Sequence, residues 1–147
     1  MIRAQRQVTA SWTGDLARGS GTVRSGSGAW ADQPVSWPSR VESAGGKTSP
    51  EELLAAANAS CFCMGLTAGL SGAGHVPELL EVTAKCTISD EDGDLKVRTM
   101  EIAVKGRVPG IDAAAFTEAA QGAGAGCPIS KALAGNVTIT VQAELVV

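Results

Sequence analysis

The sequence predicts an α+β fold with mainly antiparallel sheets and one long, buried central helix. Apolar and polar residues alternate over 82–88 and again over 95–104, with an acidic turn at 90–93 between them, which is typical of a β-hairpin. The segment 49–70 has the signals of a helix start, followed by a body without a charged residue. Alternation returns over 137–145 and predicts a last strand.

The remaining elements are shorter. Alternation over 8–12 and a Gly-rich stretch over 19–29 predict a small antiparallel meander. The segment 38–47, which carries Arg40, has no periodicity and is predicted to be a loop. We also expect an irregularity in the hairpin near Thr99.

The segment after the hairpin predicts two consecutive helices. Asp112 is placed to cap an Ala-rich helix that ends in a run of alternating Gly and Ala. Cys127 follows that run directly, and Pro128 opens a second, short helix that extends to Leu133.

Length and charge limit the classes of function. The 147 residues are predicted to form a single domain, 1–147. The net charge is -3 and no run of Lys or Arg occurs, so nucleic acid is not an expected partner. The amino terminus lacks the apolar stretch of a signal peptide, and we expect no segment that approaches the roughly 20 apolar residues of a membrane span. These features predict a soluble, cytoplasmic protein without a membrane partner.

The central helix has an unusual composition. Ser49 can cap it, Pro50 suits its first position, and Glu52 stands where a capping-box partner belongs. Its uncharged body predicts burial on nearly every side, and its many small residues allow close approach of another backbone. Because one small domain can hardly cover such a helix, we expect a second copy of the chain to help bury it.

Four cysteines in a reducing compartment are expected to be reactive, metal-bound or simply buried. Cys86 shares a strand face with apolar residues and is predicted to pack in the core. Cys61 and Cys63 point in nearly opposite directions on the helix, so they cannot share a disulfide or a metal. No CxxC pair exists and His75 stands alone, so zinc is weakly supported.

Local chemistry ranks Cys127 above Cys61 as the candidate nucleophile. Cys127 precedes Pro128 at the positive end of a predicted helix, which would lower the pKa of its thiol, although a capping and gap-filling role has equal weight. Cys61 lies in an uncharged helix body, where its pKa should rise unless a cation reaches it. The nearest candidate cations are Arg40 and Lys47.

Four segments together resemble the OsmC/Ohr family of peroxidases over nearly the whole chain, and in particular the OsmC (osmotically inducible protein C) subfamily. The two segments that each contain a cysteine are the most specific. The four segments are WTGD at 12–15 with GSGTV at 19–23, Arg40, SPEELLAAANASCF at 49–62, and AGCPISKAL at 125–133.

The resemblance implies roles that reverse the local ranking. Cys61 would be the peroxidatic residue and Cys127 its resolving partner. Arg40 would stabilise the Cys61 thiolate and donate hydrogen bonds to the peroxide, and Glu51 would hold that arginine. Glu51 lies about 15 Å along the helix from Cys61, so it can act only through a long arginine or across a subunit boundary.

The resemblance further implies an intertwined homodimer with active sites at its interface. The expected reaction is reduction of organic hydroperoxides, and more weakly of hydrogen peroxide, through a sulfenic acid and a Cys61–Cys127 disulfide. No metal, flavin or haem is required, and electrons would come from an external dithiol, with a lipoyl dithiol as the first candidate. The alternatives are a non-enzymatic redox sensor, a ligand-binding module, or an inert structural relative.

Overall fold

The structure is a computed structural model that describes residues 1–147. The chain divides into two compact units, Met1–Pro50 and Glu51–Val147, and the division falls at the start of the longest helix. The prediction that all 147 residues form a single domain stays a prediction.

The first unit is a three-stranded antiparallel sheet followed by a short helix. The strands are β1 (Val8–Thr13), β2 (Ser20–Ser25) and β3 (Gln33–Val35), in that order across the sheet, and the helix is α1 (Trp37–Val41). The predicted meander is confirmed in β1 and β2.

The prediction of a loop over 38–47 was wrong for its first residues, which belong to α1. The side chain of Ser36 accepts a hydrogen bond from the backbone N–H of Ser39, and the side chain of Ser39 accepts one from the backbone N–H of Ser36. This capping box, with Pro38 in the first turn, starts a helix that is too short to show periodicity.

The second unit contains the long helix and the second sheet. In chain order its elements are α2 (Pro50–Gly72, with Pro50 at the boundary), β4 (Leu79–Ser89), β5 (Lys96–Arg107), α3 (Ala113–Gly126), α4 (Pro128–Leu133) and β6 (Thr138–Leu145). Strands β4 and β5 form the predicted antiparallel hairpin, and their register shifts next to the Thr87–Thr99 pair, as expected. Strand β6 pairs with β5 in parallel, so α3 and α4 form the connection between two neighbouring strands.

The core of the second unit lies between one face of this sheet and the helices α2 and α3. From Met100 to Gly106 every second residue of β5 is buried in it, whereas the residues between them are exposed, and Glu101 forms an ion pair with Lys85 of β4. The predicted cap of α3 is present, because Asp112 accepts a hydrogen bond from the Ala115 N–H at 2.8 Å. The buried apolar residues of this core are Phe62, Leu66, Leu70, Met100, Ile102, Val104, Val108, Phe116 and Ala120.

Within one chain α2 is buried on one face only, which differs from the predicted burial on nearly every side. Its core ridge includes Phe62, Leu66 and Leu70, while the opposite face is open and Met64 is 71% exposed. The open strip consists of Ser60, Cys63, Met64, Thr67, Ala68 and Ser71.

The expectation that no segment is long and apolar enough to span a membrane was wrong. Helix α2 has 23 residues and meets both conditions by length and composition. The core helix of a folded domain meets the same conditions, and the ridge that includes Phe62 and Leu66 packs against the sheet. We therefore assign α2 as the core helix of this unit.

Candidate active site

The first part of the candidate site is one turn of α2. Asn58 and Cys61 are three residues apart, so their side chains are neighbours on the helix surface. Asn58 is fully buried and Cys61 is half-buried, beside the core residue Phe62. The packing of Phe62 therefore fixes the direction in which Cys61 points.

The second part is the junction of α3 and α4, where Cys127 ends one helix and precedes the next. Its backbone N–H donates to the Ala123 carbonyl at 3.0 Å, and its carbonyl accepts from the Lys131 N–H at 2.9 Å. Gly124 allows this junction to approach β6, because a Cβ at that position would lie 2.8 Å from a methyl group of Val141. Cys127 is consequently buried, with 2% of its surface exposed.

The two parts meet at the thiols of Cys61 and Cys127, which lie close enough to shift each other's pKa. Burial raises the pKa of Cys61, and the hydrogen bond with Cys127 raises it further. Burial also acts to raise the pKa of Cys127, but hydrogen bonds from Cys61, Ser130 and Ile129 to its charged form outweigh that effect and lower the pKa.

A buried amide completes this group of side chains. Asn58 Nδ2 donates to Ser130 Oγ at 2.9 Å and to Cys127 Sγ at 3.6 Å. Asn58 Oδ1 is buried and has no hydrogen-bond partner. The sequence prediction missed this residue, although an amide three positions before a cysteine, in an uncharged helix body, was a signal that could have revealed it.

The other two cysteines lie elsewhere. Cys63 is half-buried and faces the open strip of α2, in the direction opposite to Cys61. Cys86 packs against the core from β4, as predicted, and burial raises the pKa of its thiol, with a smaller contribution from the charge of Glu51. Neither thiol therefore shares the surroundings of Cys61.

The two charged residues of the predicted site, Arg40 and Glu51, belong to different units of the chain. Arg40 is in the last turn of α1 in the first unit, and its guanidinium carbon lies 5.9 Å from the centre of the Trp37 ring. Glu51 is in the first turn of α2 and only 8% of its surface is exposed. Their predicted roles beside Cys61 stay predictions.

Comparison with known proteins identifies the family. The family model described as OsmC-like protein matches residues 43–142. The chain is 39% identical to peroxiredoxin OsmC of Escherichia coli strain K12 over 133 residues, which cover 90% of this chain and 92% of that protein.

Solved structures agree in fold, which confirms the predicted α+β class with its long central helix. The organic hydroperoxide resistance protein OhrB of Bacillus subtilis has a TM-score of 0.77 and 25% identity, with 97% of this chain and 100% of that chain covered. The OsmC-like protein of Mycoplasma pneumoniae has a TM-score of 0.76 and 17% identity, with 99% and 100% covered. The chain therefore belongs to the OsmC-like protein family.

Proposed function

We propose that this chain reduces organic hydroperoxides, and more weakly hydrogen peroxide, with Cys61 as the peroxidatic residue and Cys127 as the resolving residue. As a member of the OsmC-like family the chain is a cysteine-based peroxidase. The observation that carries the proposed mechanism is the proximity of the two cysteines. Asn58, one turn before Cys61 on α2, reaches Cys127 Sγ with its Nδ2 at 3.6 Å, and Cys61 and Cys127 shift each other's pKa, so the two sulfurs can approach without unfolding α2.

The chemistry has two steps. The Cys61 thiolate attacks one oxygen of the peroxide, the O–O bond breaks, and an alcohol leaves after taking a proton. Cys61 then carries a sulfenic acid, and Cys127 attacks its sulfur to form the disulfide with loss of water. An external dithiol, for which a lipoyl group is the first candidate, would reduce the disulfide. No metal, flavin or haem takes part in this scheme.

The role of Cys61 as nucleophile requires a positive charge. Burial and the hydrogen bond with Cys127 raise the pKa of Cys61, so the thiolate needs further stabilisation. We assign that task to Arg40, whose guanidinium would also donate hydrogen bonds to the peroxide oxygens, and we assign the positioning of Arg40 to Glu51. The burial of Glu51 suits a carboxylate with a fixed partner.

The preference for organic substrates is supported by the surroundings of Cys127. A groove of about 400 Å³ beside this residue has no charged side chain among its lining residues, which are Gly65, Gly69, Ala119, Gly122, Ala123, Gly126, Cys127 and Pro128. An alkyl or aryl hydroperoxide can bury its apolar part in such a groove, whereas hydrogen peroxide gains nothing from it.

The mechanism is tested by mapping the cysteines after oxidation. We expect one equivalent of cumene hydroperoxide to produce a Cys61–Cys127 disulfide in the wild-type protein, detected by mass spectrometry of proteolytic peptides. Cys63 and Cys86 should remain alkylatable, because neither shares the surroundings of Cys61. A disulfide that involves Cys63 or Cys86 as its main product would contradict the mechanism.

We also propose that the protein is a cytoplasmic homodimer in which the open strip of α2 is covered by the second copy. Met64 is the largest apolar side chain of this strip, and the strip forms a shallow, mostly apolar surface. Coverage by a second copy would complete the burial that the uncharged helix body predicts.

Replacing Met64 by glutamate is expected to raise the dissociation constant of this dimer by about 100-fold or more, because each copy would bury an unpaired charge. Sedimentation velocity at micromolar concentration should show the variant as a folded monomer and the wild type as a dimer. Val76→Glu is the matched control, because Val76 is also an exposed apolar residue, at 68%, but lies outside the strip. A monomeric wild type, or a dimeric Met64→Glu variant, would refute the proposed interface.

A further inference from the structure

The buried amide of Asn58 has no role in the two steps of the proposed reaction. This side chain is completely buried in the uncharged body of α2, where the other buried residues are the apolar Phe62, Leu66 and Leu70. Its Nδ2 donates to both Ser130 Oγ and Cys127 Sγ, at 2.9 Å and 3.6 Å. Both hydrogens of the amide nitrogen are thus directed at the resolving cysteine and the residue beside it.

The carbonyl group of the Asn58 amide indicates that asparagine is not the residue that would give the highest stability at this position. Asn58 Oδ1 is buried without a hydrogen-bond donor, which costs free energy that an apolar side chain of similar volume would avoid. The surroundings supply such packing, since Phe62 and Leu66 continue the same ridge of the helix. A residue that is unfavourable for stability but donates to a reactive sulfur indicates a function.

We propose that Asn58 is a positioning residue for the resolving step, which holds Cys127 Sγ with its amide N–H and orients the Ser130 hydroxyl toward the same sulfur. This inference rests on the proposed function, in which Cys127 resolves the sulfenic acid of Cys61. Because the Ser130 oxygen accepts from Asn58, the Ser130 hydroxyl hydrogen is available to Cys127, whose pKa Ser130 lowers.

The step that Asn58 assists is the attack of the Cys127 thiolate on the sulfur of the Cys61 sulfenic acid. The S–S bond forms, the S–O bond breaks, and the departing hydroxide takes a proton to become water. Hydrogen bonds to the Cys127 thiolate lower its pKa and so increase the thiolate fraction at neutral pH, but they also lower its intrinsic nucleophilicity. Cys61 is the titratable group that faces Cys127 from α2, and the neighbouring α3 residues Ala123 and Gly126 carry no charge.

These opposing effects give a specific test with Asn58→Leu. Removing the donor should raise the pKa of Cys127 and reduce its thiolate fraction about tenfold at neutral pH, while each thiolate becomes about threefold more reactive. We therefore expect the disulfide to form about threefold more slowly than in the wild type at pH 7, and about threefold faster at a pH above both pKa values. The pH profiles of the rate of disulfide formation should therefore cross between the wild type and Asn58→Leu.

The measurement is stopped-flow mixing of reduced protein with one equivalent of cumene hydroperoxide across a range of pH, with the sulfenic acid trapped by dimedone and quantified by mass spectrometry. The formation of the sulfenic acid should be unchanged in Asn58→Leu, and its lifetime at pH 7 should increase. The melting temperature of the variant should equal or exceed that of the wild type. Asn136→Leu, at an exposed asparagine, is the control and should leave both rates unchanged.

The outcomes separate this inference from the proposed function. A wild-type protein that forms no sulfenic acid at Cys61, or no disulfide with Cys127, overturns both. A wild type that forms the disulfide, together with an Asn58→Leu variant whose pH profile is unchanged, overturns only the role of Asn58. If Asn58→Leu does not fold, Asn58→Ala lacks the same donor and should show the same crossing, and parallel profiles for that variant overturn the inference.

Discussion

Replacing Cys61 by serine is expected to lower the steady-state turnover of cumene hydroperoxide by about a thousandfold or more, because a serine hydroxyl remains protonated at neutral pH and cannot form a sulfenic acid. The assay would use dihydrolipoamide or dithiothreitol as the reductant and would follow peroxide consumption. Cys63→Ser makes the same chemical change two residues away, on the open strip of α2, and should retain turnover within about twofold.

The same assay distinguishes an enzyme from a redox sensor. The proposed peroxidase consumes many equivalents of peroxide per protein, whereas a sensor consumes one and stops. Cys127→Ser should still be oxidised at Cys61, but its sulfenic acid should persist until the external thiol reaches it. A Cys61→Ser variant that keeps wild-type turnover would refute the assignment of Cys61 as the nucleophile.

The second large effect is expected at Arg40. Arg40→Gln removes the charge that we propose for the Cys61 thiolate and the donors that we propose for the peroxide, so kcat/KM at neutral pH should fall about 100-fold. Without the cation the pKa of Cys61 rises, so the limb of the rate profile that increases with pH should move to higher pH. Part of the lost activity should therefore return in alkaline buffer.

Arg40→Lys separates the two contributions of this side chain. Lysine keeps the charge but lacks the planar pair of donors, so we expect a loss of about tenfold with a smaller movement of the pH profile. Arg107→Gln, at an exposed arginine at the end of β5, is the control for loss of a positive charge and should behave as the wild type. An Arg40→Gln variant with an unchanged pH profile would exclude Arg40 as the stabilising cation.

The elements that the sequence predicts correctly are those whose signals are local. The hairpin β4–β5 and its irregularity near Thr99 follow from alternation, and the limits of α3 and α4 follow from Asp112 and Pro128. Strand β3 has only three residues and includes Pro34, so it offered too little pattern to be recognised. The parallel pairing of β6 with β5 depends on contacts distant in the sequence, which periodicity does not encode.

The candidate site shows the same distinction between local and distant information. The local surroundings of Cys127 indicated a lowered pKa, and the pKa is lowered, but only part of the cause is local. Cys61 contributes from a distant place in the sequence, whereas Ser130 and Ile129 follow Cys127 directly in the chain. The contact between Cys61 and Cys127 could not be worked out from spacing, because it depends on how the end of α3 packs against β6 through Gly124. Asn58 was missed because its importance appears only when its partners are known.

The parallel pairing of β5 with β6 has a consequence for the order in which the protein folds. Cys127 lies on the connection between these strands, and its position is fixed only when Thr99 has paired with Thr138 and the rest of the ladder has closed. Such long-range pairing is slow compared with the formation of α2 or of the β4–β5 hairpin. During synthesis α2, which carries Cys61, therefore forms before Cys127 reaches its final position. The nascent chain passes through a stage in which the Cys61 thiol has no intramolecular resolving group.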